Sequence, residues 1–368
     1  MKKSMTLLRL EWIRLGLISA GLAWGAFAMP ACSSIGDPGG TPDGLPHGGT
    51  GKFRLLDSAE TGVSGSLPGR AIVLLNRTIE GVSVTENSIF YAQSTVLDDP
   101  PPLPDDHPPT EIFRGAFGNR SIFRGTLRTE GIGAYDAGNE VLAATEDWEG
   151  DELIDPSVAV DPDGTVRLYY AAAGGIGVAE ASAEDGTFSK VSGPILDMSA
   201  GSGVAPRRPS VVRNIDDTGW IMFFDRGDGL GIATSDDGVA FSDARALPLE
   251  GEDEGMSPEV RIAHPGAVRI ATSADRALIR VYFESIREDG THQIYLAGTD
   301  DGETFERWPR SVIDNNDVRL PTVRQLDSRV TFLYLNLPFI GGSFQTRGIS
   351  VASSPAGQRF DPPEPEGF

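Results

Sequence analysis

Four carboxylates and three arginines hold matching places in a sequence that repeats. Asp155 stands directly before a proline, Arg207 and Arg208 directly before another, and Glu259 directly after a third. Asp225, Arg226 and Glu284 each follow a short apolar run. Carboxylates that meet in one cavity can pass protons, one acting as acid and another as base. Arginines that meet there can clamp an anion through their forked donors. Either chemistry requires the chain to bring these positions together.

The repeat supplies a way to do so. The phrase x-Pro-(Ser/Thr/Glu)-Val occurs at Pro156, Pro209, Pro258 and Pro321, about 53, 49 and 63 residues apart, which is a blade-sized period. After each phrase comes an apolar run, at 166–170, 220–224, 278–283 and 330–334. A small, glycine-bearing run follows, at 175–181, 229–234, 293–299 and 348–353, and then a glycine turn closed by Phe188, Phe241, Phe305 or Phe360. The runs are short, rich in Val, Ile, Tyr and Phe, and bounded by Asp, Gly and Pro, so they read as strands. The predicted fold is all-β, a five-bladed β-propeller with approximate blades 53–150, 151–200, 201–250, 251–315 and 316–368. In the first blade, 71–76, 88–94, 121–127 and 131–135 read as strands. The proline-rich stretch 98–109 reads as a loop, because proline removes ladder donors.

In a propeller the innermost strand of each blade starts on the face to which the second strand returns. Asp155, Arg207, Arg208, Ser257 and Glu259 are therefore expected at one mouth from strand starts. Asp225, Arg226 and Glu284 join them from strand ends. Asp155 has a second reading, as an aspartate capping a turn before proline.

The chain opens with Lys2, Lys3, Arg9 and Arg14 against Glu11, followed by an uncharged apolar stretch from 15 to 28. Residues 1–31 read as a signal peptide. Cys32 is the sole cysteine, and its place after that stretch resembles the bacterial lipobox, although Met29 and Pro30 depart from it. Lipidation of Cys32 would anchor the exported protein in the envelope, and Ser33 favours the outer membrane. An ordinary secretory signal with an incidental cysteine is the other reading. Residues 32–52, built from Gly, Pro, Asp, Ser and Thr, read as a flexible tether. The net charge of −22 opposes nucleic acid and anionic lipid as partners, which leaves the lipid anchor as the one membrane contact. The chain is expected to be monomeric, with a carbohydrate or small acidic ligand as its partner.

At the repeat itself a resemblance enters. Leu153-Ile154-Asp155-Pro156-Ser157-Val158, then Asp163-Gly164 and Leu168-Tyr169-Tyr170, resemble a blade of the five-bladed propeller glycosidases, the arabinanase, xylosidase, invertase and levansucrase relatives. Gly231-Ile232-Ala233-Thr234-Ser235-Asp236-Asp237-Gly238 and Gly298-Thr299-Asp300-Asp301-Gly302 resemble their outer-strand turns. The likeness spans roughly residues 131–361. It implies glycosidic cleavage by carboxylates around the axis, one protonating the leaving oxygen and another serving as base or nucleophile. Asp155 matches the aspartate that orients and tunes the others. In the next blade, where the family's general-acid glutamate is expected, Arg207 and Arg208 stand instead. Arginine cannot give up its proton at working pH.

Two functions follow. One is a binding propeller whose axial pocket holds a glycan or acidic sugar with Arg207, Arg208 and Arg226. The other is a glycoside hydrolase drawing on Asp155 with Glu259 and either Asp225 or Glu284. An envelope lipoprotein with an unselective pocket is the bland alternative. No cofactor is expected, apart from a calcium ion that the resemblance implies in the axial channel, with His264 the nearest histidine. Ser-His-Asp, phosphate-loop and zinc signatures are absent from the sequence. Trp148 and Trp308 can be sugar platforms or packing residues, and the paired aromatics of the second strands read as packing between blades.

Overall fold

The computed structural model describes residues 54–56, 80–85, 87–96, 117–126, 138–251, 257–273, 276–313, 319–326, 330–336 and 349–354. The signal peptide, the tether, Cys32, the strands expected at 71–76 and 131–135 and the proline-rich loop lie outside these residues. Within them the protein is all-β in a propeller arrangement, its strands forming five sheets. In the first sheet Glu80–Val84, Ser88–Val96, Phe117–Thr126 and Asn139–Leu142 pair in order. The second runs Ile154–Val160, Val166–Ala172 and Gly175–Ala181, with two short outer strands. The third is Arg207–Arg213, Trp220–Asp225, Leu230–Ser235 and Ser242–Ala246. In the fourth, Glu259–Ser273 pairs Arg276–Arg287, then His292–Thr299 and Phe305–Arg307. The fifth holds Arg319–Leu326, Val330–Asn336 and Ile349–Ser354.

Two strands depart from the expected partition. Arg54–Leu56 was expected in the first unit but pairs antiparallel with Ile349–Ser354, covering the outer edge of the fifth sheet. A strand from the chain start serves there because an unpaired edge would be a template for aggregation. Leu249–Glu250 was expected to end the third unit but runs parallel to Phe305–Arg307 in the fourth sheet. The innermost strand of the first sheet, Glu80–Val84, carries no proline, so the phrase that marks the others does not find it.

The second strands of the second, third and fourth sheets are buried on both faces because each lies between two neighbouring sheets. Tyr169 and Tyr170, Phe223 and Phe224, and Tyr282 and Phe283 are adjacent pairs, all fully buried. Alternation sends the two members of a pair to opposite sides. Tyr170 joins Phe90, Ile122 and Leu168 between the first and second sheets. Tyr169 joins Trp220, Met222 and Phe224 between the second and third. Phe223, Val281 and Phe283 fill the next seam, and Tyr282, Leu296 and Val323 the one after. The core is thus a set of separate seams, where each buried aromatic contributes roughly 1.5–3 kcal/mol. Trp148 stacks on Tyr170 at 6.1 Å and Trp308 packs on the Tyr282 seam, which places both indoles in packing roles.

The innermost strands meet each other side to side, Glu80–Val84 against both Ile154–Val160 and Arg319–Leu326. Hydroxyls stitch them. Ser83 Oγ accepts from the Val158 amide at 2.8 Å, Ser157 Oγ from Val211 at 3.2 Å, and Ser210 Oγ from Ala267 at 2.8 Å. Thr322 donates to the Val82 carbonyl at 2.5 Å. At the equivalent place in the fourth sheet Gly266 has no side chain, and a Cβ there would lie 2.4 Å from the Pro321 carbonyl oxygen.

Candidate functional site

Four of the innermost strands carry a kink, near the start in three and some residues in from Glu259 in the fourth sheet. Asp155, Arg208, His264 and Leu320 each precede a proline, and each has a left-handed φ, of 53°, 54°, 56° and 55°. Residues before proline ordinarily stay extended, so such a conformation costs on the order of 1–3 kcal/mol apiece. At each kink the pairing with the second strand slips, between Ile154 and Ser157, Arg207 and Ser210, Ala263 and Gly266, and Arg319 and Thr322. These are β-bulges, which re-aim a side chain. Asp155, Arg208, His264 and Leu320 line one small cavity with Pro156, Pro209, Pro265, Pro321, Val82 and Thr322. A second cavity continues along the inner strands past Ser83, Ser157 and Ser210. The kinks therefore define a mouth on the axis.

Around this mouth charges alternate, and the bonds run from sheet to sheet. Asp155, 3% exposed, meets Arg208 Nη1 of the third sheet at 2.7 Å. Asp225 of the third sheet receives Arg261 Nη2 of the fourth at 2.6 Å on both oxygens, and the Gly227 amide at 2.9 Å. Glu284 is fully buried in the fourth sheet. It pairs with His264 Nδ1 at 2.5 Å and with His292 Nδ1, and accepts the Leu320 amide of the fifth sheet at 3.1 Å. His264 Nε2 lies 3.7 Å from Asp225.

Burial alone would raise the Glu284 carboxyl, but the His264 and His292 hydrogen bonds and the Leu320 amide outweigh it and hold the group well below its ordinary value. Burial pushes the His264 imidazole down, and the Arg208 guanidinium adds to this against the pull of Glu284 and Asp225. The arrangement is an ionised Glu284 accepting from a neutral His264.

The expected residues divide. Asp155, Arg208, Asp225 and Glu284 come together with His264. Glu259 does not join them. It lies on the stretch of its strand before the kink, where Arg307 forks onto it at 2.9 and 2.7 Å and the Ser285 hydroxyl donates to it. Ser257 is likewise off the mouth, its carbonyl accepting from Arg287 at 3.1 Å. The strand of the fourth sheet does start at Glu259, directly after Pro258, but it reaches the mouth only at the kink before Pro265. With Pro265 the spacings become 53, 56 and 56 residues, a more even period that was available in the sequence. Requiring Ser, Thr or Glu after the proline hid it, because Gly266 stands there. Arg207 is exposed and pairs in register with Asp225, and Arg226 turns to Asp228 at 3.4 Å, so neither lines the cavity. Arg261 and His292 were missed: Arg261 lies 36 residues from its partner Asp225, and His292 meets Glu284 diagonally across the hairpin that joins their strands.

The expected calcium does not fit at His264. Its nitrogens face Glu284 and Asp225, and Arg208 adds a positive charge beside it. Calcium takes six to eight oxygens. Among the described residues no group of three or more His, Cys, Asp or Glu is arranged to hold a metal ion.

Solved structures of propeller glycosidases share this fold. A protein described as a glycoside hydrolase matches over 79% of this chain and 91% of its own, with a TM-score of 0.53 and 13% identity. An endo-arabinase from Bacteroides thetaiotaomicron matches over 77% and 95%, with a TM-score of 0.50 and 14% identity. A fructofuranosidase from Schwanniomyces occidentalis, complexed with fructosylnystose, matches over 81% of this chain and 59% of its own, with a TM-score of 0.50 and 13% identity. At such identities the likeness is one of fold. No protein-family model matches the sequence, and no curated protein is similar to it.

Proposed function

We propose that this protein binds a glycan or acidic sugar at the axial mouth of a glycosidase-like propeller and does not hydrolyse it. The five sheets are read as five blades of one ring, on the side-to-side contacts of their inner strands. The observation that carries the function is Arg208. It stands where the resemblance requires a carboxylic acid, and it is held on Asp155 at 2.7 Å. An acid catalyst must reach the leaving oxygen with a proton to give. Glu284 is kept ionised by its histidines, and Asp225 is taken up by Arg261. The cavity supports the same reading. The part between the kinks, about 30 Å³, has room for a water or two.

The protein is exported and anchored through lipid on Cys32, in the outer membrane, with residues 32–52 as tether. Metabolic labelling with palmitate tests the anchor: label is expected on the wild type and none on Cys32→Ala. For the mouth, hydrolysis of a panel of aryl glycosides and polysaccharides is measured beside retention on the same polysaccharides in affinity gels. Retention without turnover is expected. Turnover that disappears in Asp155→Asn would establish instead the hydrolase drawing on Asp155 with Asp225, Glu284 or Glu259.

A further inference from the structure

We infer that the ligand of the axial mouth is a uronate-bearing glycan whose carboxylate docks on Arg208. This rests on the binding reading above and narrows it to one chemical class.

Each carboxylate at the mouth already faces a cation or an imidazole of the protein. Neutral sugars are held largely through hydroxyls, which bond well to carboxylates. Here Asp155 faces Arg208, Asp225 carries both its oxygens on Arg261, and Glu284 is shared among His264, His292 and the Leu320 amide. Arg208 is different. Among the described residues its one ion pair is made through Nη1, and its side chain is 18% exposed. A guanidinium has five donors in a fixed plane, so a second carboxylate can dock on the remaining edge while Asp155 holds the first.

Shape agrees with charge. Between the four kinks the cavity is small, about 30 Å³, and a planar carboxylate is the part of such a sugar best matched to it. The walls beside Arg208 are Pro156, Pro209, Pro265, Leu320 and Pro321, and apolar walls strengthen a charge-assisted bond. Backbone rigidity helps as well. Arg208 sits in a kinked pre-proline conformation and is clamped by a buried aspartate, so little side-chain freedom is lost on binding. The chain as a whole carries a charge of −22. Long-range repulsion from that charge is screened within about 8 Å at physiological salt, which leaves the local contact in control.

The test is calorimetry on the soluble chain from residue 33 onward, with oligogalacturonate and oligomannuronate against their fully methyl-esterified forms. Esterification removes the charge and keeps the sugar. The free acids are expected to bind at least about tenfold more tightly than the esters, and to weaken as sodium chloride is raised. Arg208→Gln is expected to erase the difference. Arg208→Lys, which keeps the charge on Asp155 and so protects the fold, is expected to lose most of it by losing the fork. Esters that bind as well as acids, or wild-type selectivity retained in both variants, would overturn the carboxylate assignment while leaving a glycan-binding mouth. Sulfated neutral glycans binding Arg208 in place of uronates would overturn it too. Absence of binding across acids, esters and neutral polysaccharides alike would bring down the binding reading itself.

Discussion

Two clusters among the described residues set carboxylates against arginine, and they are built differently. At the axial mouth each carboxylate has a partner across a sheet boundary: Asp155 to Arg208, Asp225 to Arg261, Glu284 to the Leu320 amide, while His264 and His292 hold Glu284 from within its own sheet. The Glu259 cluster stays within the fourth sheet. There Arg307 forks onto Glu259, lies over the rings of Tyr295 at 4.4 Å and Phe283 at 5.3 Å, and leaves Ser285 as the other donor. The first cluster ties neighbouring sheets together around a cavity. The second fixes the outer part of one sheet and faces no ligand. A carboxylate's role is set by which element brings its partner, and residue type alone does not distinguish the two.

The sharpest way to break this comparison is to remove the hub. Glu284→Ala leaves His264, His292 and the Leu320 amide without their acceptor across two sheets. A loss of about 3–5 kcal/mol in urea unfolding is expected, the range for breaking a buried pair from one side. A cost near zero would make the mouth bonds incidental to ring closure.

Acid probes the same carboxylate more gently. The folded-state Glu284 carboxyl is held below its ordinary value of 4.5, so its contribution is complete above that value and declines as pH falls through it. Urea midpoints measured from pH 7 to pH 3 should therefore fall for the wild type, and fall less steeply in Glu284→Gln. Parallel curves would remove Glu284 from the account of acid sensitivity.

The smallest effect is expected where the cluster is local. Glu259→Gln keeps an acceptor for Ser285 and loses half of the Arg307 fork, for a cost of about 1–2 kcal/mol. Its glycan binding should equal that of the wild type. A binding defect as large as that of Arg208→Gln would move Glu259 to the mouth.

Much of the fold was legible because strands are local. The adjacent aromatic pairs at 169–170, 223–224 and 282–283 announced strands buried on both faces, and the structure places each pair in two seams. The phrase around Asp155 likewise marked a strand start that is one. Glu80–Val84 was not legible, because the hydroxyl that does its work, Ser83, comes without the proline that flags Ser157 and Ser210. Glu259 was misplaced by seven residues' difference between two prolines, a matter of where a long hairpin passes the axis.

What the chain determined by itself is periodic and local: short apolar runs, glycine turns, prolines before inner strands, and an arginine where an acid was expected at 208. Which charges meet was decided by the tertiary structure. Pairs such as Asp225 with Arg261, or Glu284 with His264, depend on bulges that re-aim a side chain and on sheets that meet around an axis. Neither leaves a mark in residue spacing, because contact between sheets is set by packing across the seams and not by distance along the chain.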